Sequence, residues 1–199
     1  MPLVAATGAK VLAHWQAADR IPGGIQRGLR AGDVIKVGTT VELECLDTPG
    51  HTMSHVCLLA HADTPALFSG DTLFNAGAGN CHNGGHPVQL YETFSRQLTR
   101  LPDATRVYPG HDYLANNLRF TLDREPDNAN AREMLERLAG HDAGNAFVTT
   151  LDIERRINTF FRLRSPTVIA RLREAFPDLP DAPDERTVFL KLRELRNKW

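Results

Sequence analysis

The sequence TPGHTMSH, from Thr48 to His55, follows a run of residues, VELECLD, that is typical of a β-strand. Apolar and polar residues alternate in that run, which predicts a strand with one covered face. The Pro-Gly pair then favours a tight turn, and the turn is followed at once by His51 and four residues later by His55. Such a histidine is either an ordinary turn residue or a metal ligand, and the rest of the sequence must distinguish the two.

Two later stretches repeat the same design, in which an apolar strand and a tight turn precede a side chain that can bind a metal. They are LFSGD, which ends at Asp71, and VYPGH, which ends at His111. Because strand ends meet at one edge of a sheet, we expect His51, Asp71 and His111 to converge there. Imidazole nitrogen and carboxylate oxygen suit zinc, iron or manganese. The alternative for each residue taken alone is a role in a surface turn.

The composition limits the class of protein. A chain of 199 residues that is 42% hydrophobic is long enough for one domain with a substantial core. A net charge of −1 gives no support for nucleic-acid binding, although the 11 basic and 8 acidic residues from Leu151 onward favour an anionic ligand near that region. Three cysteines predict a reducing, cytoplasmic location. Neither a signal peptide nor a membrane span is expected, so we predict no membrane partner.

Local patterns predict strands in the first half of the chain and helices in the second. The expected strands are KVLAHW, DVIKVG, TVELECLDT, HVCLLAHA, ALFSGD and TRVYPGHDY. The expected helices are LYETFSRQLTRLP, LANNLRFTLDREP, NANAREMLERLAG, IERRINTFFRL, TVIARLREAF and ERTVFLKLRELRNKW. A glycine-rich loop from Asn75 to Pro87 and a polar linker from His141 to Asn145 separate some of them. This order predicts an α/β body over residues 1–120 and a helical C-terminal region over residues 121–199.

Read together, TPGHTMSH, FSGDTLF and YPGHDYLANNLRF resemble successive signature segments of the metallo-β-lactamase fold. The most similar branch is that of the hydroxyacylglutathione hydrolases, or glyoxalase II enzymes, and the resemblance runs from about residue 8 to residue 199. It implies an αββα sandwich with a C-terminal helical region. It also implies a metal-dependent hydrolase of glutathione thioesters of the S-lactoylglutathione type.

The resemblance implies a role for each residue of the three turns. His51 would ligate the first metal of a binuclear site, His111 would ligate the second, and Asp71 would bridge both. The metals would activate a water molecule that attacks the thioester carbonyl. His55 does not fall on a ligand position of the family, so a structural role is expected for it.

The family's H-x-H-x-D-H segment has no counterpart in this sequence. Residues 1–9 contain no histidine and no acidic residue, and His14 and Asp19 do not have the required spacing. The sandwich is therefore expected to be N-terminally incomplete and to hold only part of the family's ligand set. A sheet without those strands would expose an edge and an apolar face, which favours self-association or a partner chain.

The C-terminal helix and one tyrosine point to the substrate. The apolar stripe of the C-terminal helix consists of Val188, Leu192, Leu195 and Trp199. Arg193 and Arg196 lie along one flank of that stripe and resemble the basic positions of the glutathione-binding tail of glyoxalase II. Guanidinium groups suit the carboxylates of glutathione, and Tyr113 also matches a family position.

The glycine-rich loop departs from the family pattern. Where the family has a Lys-x-Tyr pair that contacts glutathione, this sequence has Asn80, Cys81 and His82. Cys81, His82 and His86 are either an accessory metal site or part of a glycine-rich lid.

Two alternative functions follow from the incomplete ligand set. One is a glutathione persulfide dioxygenase-like enzyme, whose single iron is held by two histidines and one aspartate. The other is a catalytically impaired fragment or binding subunit that retains only the glutathione cleft.

Overall fold

The computed structural model describes residues 2–140 and 147–199. The strands are β1 (Leu12–His14), β2 (Arg27–Leu29), β3 (Val34–Val37), β4 (Val41–Asp47), β5 (Val56–Ala60), β6 (Ala66–Gly70), β7 (Leu73–Phe74), β8 (Gly77–Ala78), β9 (Arg106–Pro109) and β10 (Thr149–Thr150). The helices are α1 (Pro2–Thr7), α2 (Pro87–Arg96), α3 (Leu114–Arg124), α4 (Ala129–Ala139), α5 (Leu151–Ile157), α6 (Pro166–Ala175) and α7 (Glu185–Arg196). Short 3-10 turns occur at Trp15–Arg20, Leu98–Arg100 and Thr159–Phe161. Among the described residues, no helix has the length and apolar character needed to cross a membrane.

The main sheet is mixed and has the strand order β10-β9-β6-β5-β4-β3. Strands β3 to β6 pair antiparallel with their neighbours in sequence because short turns join them. Strand β9 instead pairs parallel to β6, and the connection between them contains α2. The register places Phe68 of β6 opposite Tyr108 of β9, so the ends of these two strands lie side by side.

One face of the sheet is covered by helices, and the main core lies there. The strands contribute Cys57, Leu59, Leu67 and Val107, which are all buried. The helices and turns contribute Leu90, Phe94, Leu98, Phe120, Leu151, Phe160, Val168, Leu172, Val188, Phe189 and Leu192. The rings of Phe94, Phe160 and Phe189 lie 5.1 to 6.5 Å apart between their centroids and join α2 to α7.

The opposite face of the sheet is covered only in part. The N-terminal segment contributes the buried side chains of His14 and Leu29. Phe68 is 44% exposed and stacks on Tyr108, and apolar side chains on β3 and β4 are also exposed. The described part of the chain therefore presents apolar residues on this face, as the sequence predicted.

The structure confirms the predicted α/β class with helices in the C-terminal half. The predicted boundary between residues 120 and 121 falls inside α3, and β10 from the helical part pairs with β9 of the body. The two parts therefore share one sheet and one core. The helices expected at residues 90–102 and 153–163 end earlier, at Arg96 and Ile157, and each is followed by a 3-10 turn. The predicted linker from His141 to Asn145 lies outside the described residues.

Candidate active site

Strands β4, β6 and β9 end at one edge of the sheet, and the segment after each carries one of the predicted ligands. Nε2 of His51 lies 3.6 Å from Oδ2 of Asp71, and Nδ1 of His111 lies 2.7 Å from Oδ1 of the same carboxylate. The structure thus brings His51, Asp71 and His111 together, as the repeated strand–turn pattern predicted. Asp71 is the central member because it contacts both histidines.

Glycine is required where these turns approach each other. Gly70 has a φ angle of +49°, and a Cβ atom there would lie 2.7 Å from Nε2 of His55. The N–H of Gly110 donates a hydrogen bond to the carbonyl of Gly70, which joins the turns after β6 and β9. A Cβ atom at Gly110 would lie 2.6 Å from Oδ1 of Asp71. The two glycines therefore leave the space that the Asp71 carboxylate occupies.

A backbone carbonyl fixes the orientation of His51. Its Nδ1 donates to the carbonyl oxygen of Asn80 at 2.7 Å, and since a carbonyl only accepts, Nδ1 carries the hydrogen. In the neutral ring this leaves the lone pair on Nε2, which faces Asp71. Metal-binding histidines commonly have this arrangement, in which the second ring nitrogen donates to a fixed acceptor.

His55 lies behind the site and has the structural contacts that the sequence predicted. Its Nε2 accepts a hydrogen bond from the backbone N–H of Asp71 at 3.2 Å. Its Nδ1 lies 3.0 Å from the hydroxyl of Thr48 and 2.9 Å from that of Thr72. Burial, assisted by the nearby His51, lowers the pKa of His55 to about 4. The neutral ring therefore holds the backbone from which the Asp71 carboxylate projects.

Aromatic contacts hold His111 at the more open side of the site, where its side chain is 54% exposed. The ring of Tyr113 stacks on it with 5.4 Å between centroids and 12° between planes. Phe74 contacts both rings edge-on, at 6.1 Å from His111 and 5.2 Å from Tyr113. These contacts fix the His111 ring and make an aromatic wall beside it.

The donor set of two imidazoles and one carboxylate suits a transition metal by its chemistry. In the structure, Asp71 and His111 hydrogen-bond to each other. No group of three or more His, Cys, Asp or Glu side chains within residues 2–140 and 147–199 is arranged to hold a metal ion. That finding covers Cys81, His82 and His86 as well as His51, Asp71 and His111, so the accessory site and the glycine-rich lid both stay predictions. His51, Asp71 and His111 match a metal in their donor types and in the tautomer of His51, but their spacing does not form a coordination group.

A cleft of about 140 Å³ adjoins the three residues. Its lining includes Phe74, Asn80, His82, Tyr113, Arg193 and Arg196. Tyr113 stacks on His111 and the Asn80 carbonyl bonds to His51, so the cleft opens directly beside the candidate ligands. Tyr113, Arg193 and Arg196, which the sequence predicted to bind substrate, therefore line a single cleft.

The two arginines of the cleft have different environments. Arg193 is 3% exposed, and its Nη1 donates to the carbonyls of Ala78 at 2.7 Å and Gly79 at 3.0 Å. Burial and the neighbouring Arg196 lower the pKa of Arg193 to about 10, which leaves it charged at neutral pH. Arg196 is half-buried and makes one long hydrogen bond, 3.3 Å, to Oδ1 of Asn117. Among the described residues neither arginine has a carboxylate within ion-pair distance, whereas Lys191 of α7 and Lys198 beyond its end both pair with Glu194.

Sequence reasoning missed several residues that shape the site. Thr48 and Thr72 contact His55. Each lies next to one of the ligand turns in the sequence, and that proximity could have indicated a role in the site. Asn80 acts on His51 through its backbone carbonyl, which any residue type would supply. The buried Glu154 holds the loop that leads to Asn80, and nothing in its local pattern distinguished it from a solvent-exposed helix residue.

Comparisons with known proteins agree with the resemblance seen in the sequence. Residues 112–199 match the family described as Hydroxyacylglutathione hydrolase C-terminus. The chain is 68% identical over 197 residues to a hydroxyacylglutathione hydrolase of Polaromonas sp. (strain JS666), and 63% identical over 197 residues to one of Nitrosococcus oceani. Each alignment covers 99% of this chain and 74% of the relative.

Solved structures show the same fold. ETHE1 from Myxococcus xanthus is 26% identical with a TM-score of 0.59, and the match covers 98% of this chain and 68% of that one. A metallo-β-lactamase from Staphylococcus aureus is 20% identical with a TM-score of 0.56, and the match covers 96% of this chain and 52% of that one. The predicted metallo-β-lactamase-like fold is confirmed.

Proposed function

We infer that this chain, which belongs to the hydroxyacylglutathione hydrolase family, hydrolyses glutathione thioesters of the S-lactoylglutathione type. One observation supports this inference most directly. His51, Asp71 and His111 meet at the edge of the sheet, beside a cleft that contains two arginines without carboxylate partners among the described residues.

The residues that would hold the metal are His51, Asp71 and His111. Zinc suits this set, as do iron and manganese, and we propose that these three side chains would contribute to a binuclear site of the family type. When bound, the metal supplies a Lewis acid that polarises the thioester carbonyl and lowers the pKa of a water molecule. In the neutral ring of His51, the hydrogen bond from Nδ1 to Asn80 leaves the lone pair on Nε2, which faces Asp71.

The cleft supports recognition of the glutathione part of the substrate. Arg196 is placed to meet a glutathione carboxylate, because among the described residues its guanidinium makes a single long hydrogen bond. Arg193 adds positive charge to the base of the cleft. Tyr113 is 47% exposed and presents its ring beside His111. Arg196 and Tyr113 would hold the thioester close to the metal site.

We place this activity in the cytoplasm. Cys45, Cys57 and Cys81 are all free thiols, which is consistent with a reducing compartment.

The test is the substitution Asp71→Asn with Asp63→Asn as the matched control. Asp71 contacts both histidines, whereas Asp63 lies in an exposed turn between β5 and β6. We expect D71N to lose at least about 100-fold in hydrolysis of S-lactoylglutathione and to bind less metal, while D63N keeps both. Wild-type turnover by a folded D71N variant would refute the mechanism.

Assays of the wild-type chain separate the alternative functions. Thioester hydrolysis with metal bound supports the hydrolase. Oxygen consumption with glutathione persulfide, without thioester hydrolysis, would replace it with the iron dioxygenase. Glutathione binding without metal or turnover would identify a binding subunit.

A further inference from the structure

We propose that Arg193 is a positioning residue that fixes the orientation of His51 through the backbone of residues 78–80. This role is different from contact with the substrate. It rests on the proposed function only in that His51 is taken as a metal ligand.

The guanidinium of Arg193 is fixed against the backbone of residues 78–80. Its Nη1 donates to two successive carbonyls, those of Ala78 and Gly79, and its Nε donates to Oδ1 of Asn197 at 3.1 Å. The side chain is 3% exposed, and its guanidinium carbon lies 5.5 Å from the ring centre of Phe160. A cation buried in this way relies on its carbonyl partners, and its removal would leave two carbonyls without their donor.

The other side of the same segment contacts the candidate ligands. The next carbonyl, that of Asn80, accepts the hydrogen bond from Nδ1 of His51. The N–H of Gly79 donates to the carbonyl of Thr72 at 3.1 Å. A Cβ atom at Gly79 would lie 1.9 Å from the carbonyl oxygen of Asp71 and 3.3 Å from Cβ of His51. The segment therefore has no room to shift without moving the acceptor that sets the His51 tautomer.

Arg193 and Arg196 thus have separate tasks. Arg193 uses its donors on the backbone carbonyls of Ala78 and Gly79, whereas Arg196 is half-buried and makes one hydrogen bond within the described part of the chain. Through Arg193, helix α7 acts on a histidine that precedes it by more than a hundred residues in the chain. The helical region therefore supports the metal site as well as the substrate cleft.

The experiment is NMR of the metal-free full chain with ¹⁵N-labelled histidine, which reports which ring nitrogen of His51 carries the hydrogen. Arg193→Met is compared with Arg196→Met, which removes the same charge one helical turn later. We expect Nδ1–H to dominate in the wild type and in R196M, and Nε2–H to gain at least severalfold in R193M. R193K keeps the charge but loses the planar fork, and it should give a smaller shift in the same direction.

Binding and kinetics provide a second readout. Titration with Zn²⁺ should show R193M binding at least about 10-fold more weakly than R196M, as is typical when the partner of a ligating histidine is disturbed. In hydrolysis, R193M should mainly lower kcat, whereas R196M should mainly raise KM. If R193M does not fold, which near-UV circular dichroism will show, R193K carries the comparison.

An unchanged His51 tautomer in R193M, or in R193K where R193M does not fold, would overturn the proposal. A rise in KM alone would do so as well, because it would make Arg193 a substrate contact. The tautomer of His51 is measured without metal or substrate. It therefore decides this inference even if the wild-type chain proves not to hydrolyse thioesters.

Discussion

The substitution Glu154→Gln should change how the stability of this protein depends on pH. Glu154 is fully buried and lies at the start of α5. Its carboxylate accepts hydrogen bonds from the N–H of Ala76, the hydroxyl of Thr149 and the side-chain amide of Asn158. Burial raises the pKa of Glu154 from its ordinary value of 4.5 to about 7, and these hydrogen bonds offset only part of that effect.

The magnitude follows from the difference between the two pKa values. Because the folded state holds the proton more tightly than the unfolded state, it binds more protons between pH 4.5 and 7. The contribution of protonated Glu154 to the free energy of unfolding is therefore fully present below about pH 4.5, and it is lost as the pH rises to about 7. Each unit of pKa difference corresponds to about 1.4 kcal/mol, so the loss in the free energy of unfolding is about 3 kcal/mol at most.

The assay is denaturant unfolding of the wild type and E154Q at intervals from pH 5 to pH 8. A glutamine cannot ionise, so the difference in unfolding free energy between the two proteins should move by up to about 3 kcal/mol in favour of E154Q as the pH rises. The exposed Glu136→Gln provides the control, for which the difference should stay constant. A constant difference for E154Q as well would refute the reasoning. It would mean that the three donors keep Glu154 ionised throughout.

Two further predictions concern the core and the cleft. Phe94 is 2% exposed and contacts the rings of Phe160 and Phe189, so Phe94→Ala should lower the free energy of unfolding by about 3–5 kcal/mol. Phe68 provides the control, because it is 44% exposed on the other face of the sheet. Phe68→Ala should lower the free energy of unfolding by less than about 1.5 kcal/mol in the same denaturant assay. A loss equal to that of Phe94→Ala would show that this face is covered in solution. Arg196→Met should raise KM for S-lactoylglutathione about 10-fold or more, with kcat changed less than about 3-fold, in steady-state kinetics. A normal KM would place glutathione elsewhere.

The sequence determined the features that depend on local chemistry. The Pro-Gly and Ser-Gly turns after apolar runs marked the strand ends, and the residue after each turn was a ligand-type side chain. Because strand ends in a sheet meet at one edge, the sequence alone was enough to group His51, Asp71 and His111. The spacing of apolar residues likewise predicted the helices of the C-terminal half. Their ends were less accurate, since Asn158 caps a 3-10 turn where the pattern continued as a helix.

Only the tertiary structure decided how these residues are held. Asn80 orients His51 from 29 residues away, and Arg193 bonds to Ala78 across 115 residues. In both contacts the acceptor is a backbone carbonyl. Because every residue has one, the sequence of side chains does not predict these hydrogen bonds. Glu154 and Arg193 are buried by packing between segments that are distant in the sequence. The raised pKa of Glu154 therefore also depends on the tertiary structure. Chain-local patterns therefore specified which chemical groups are present, and the fold determined which atoms of those groups remain free to react.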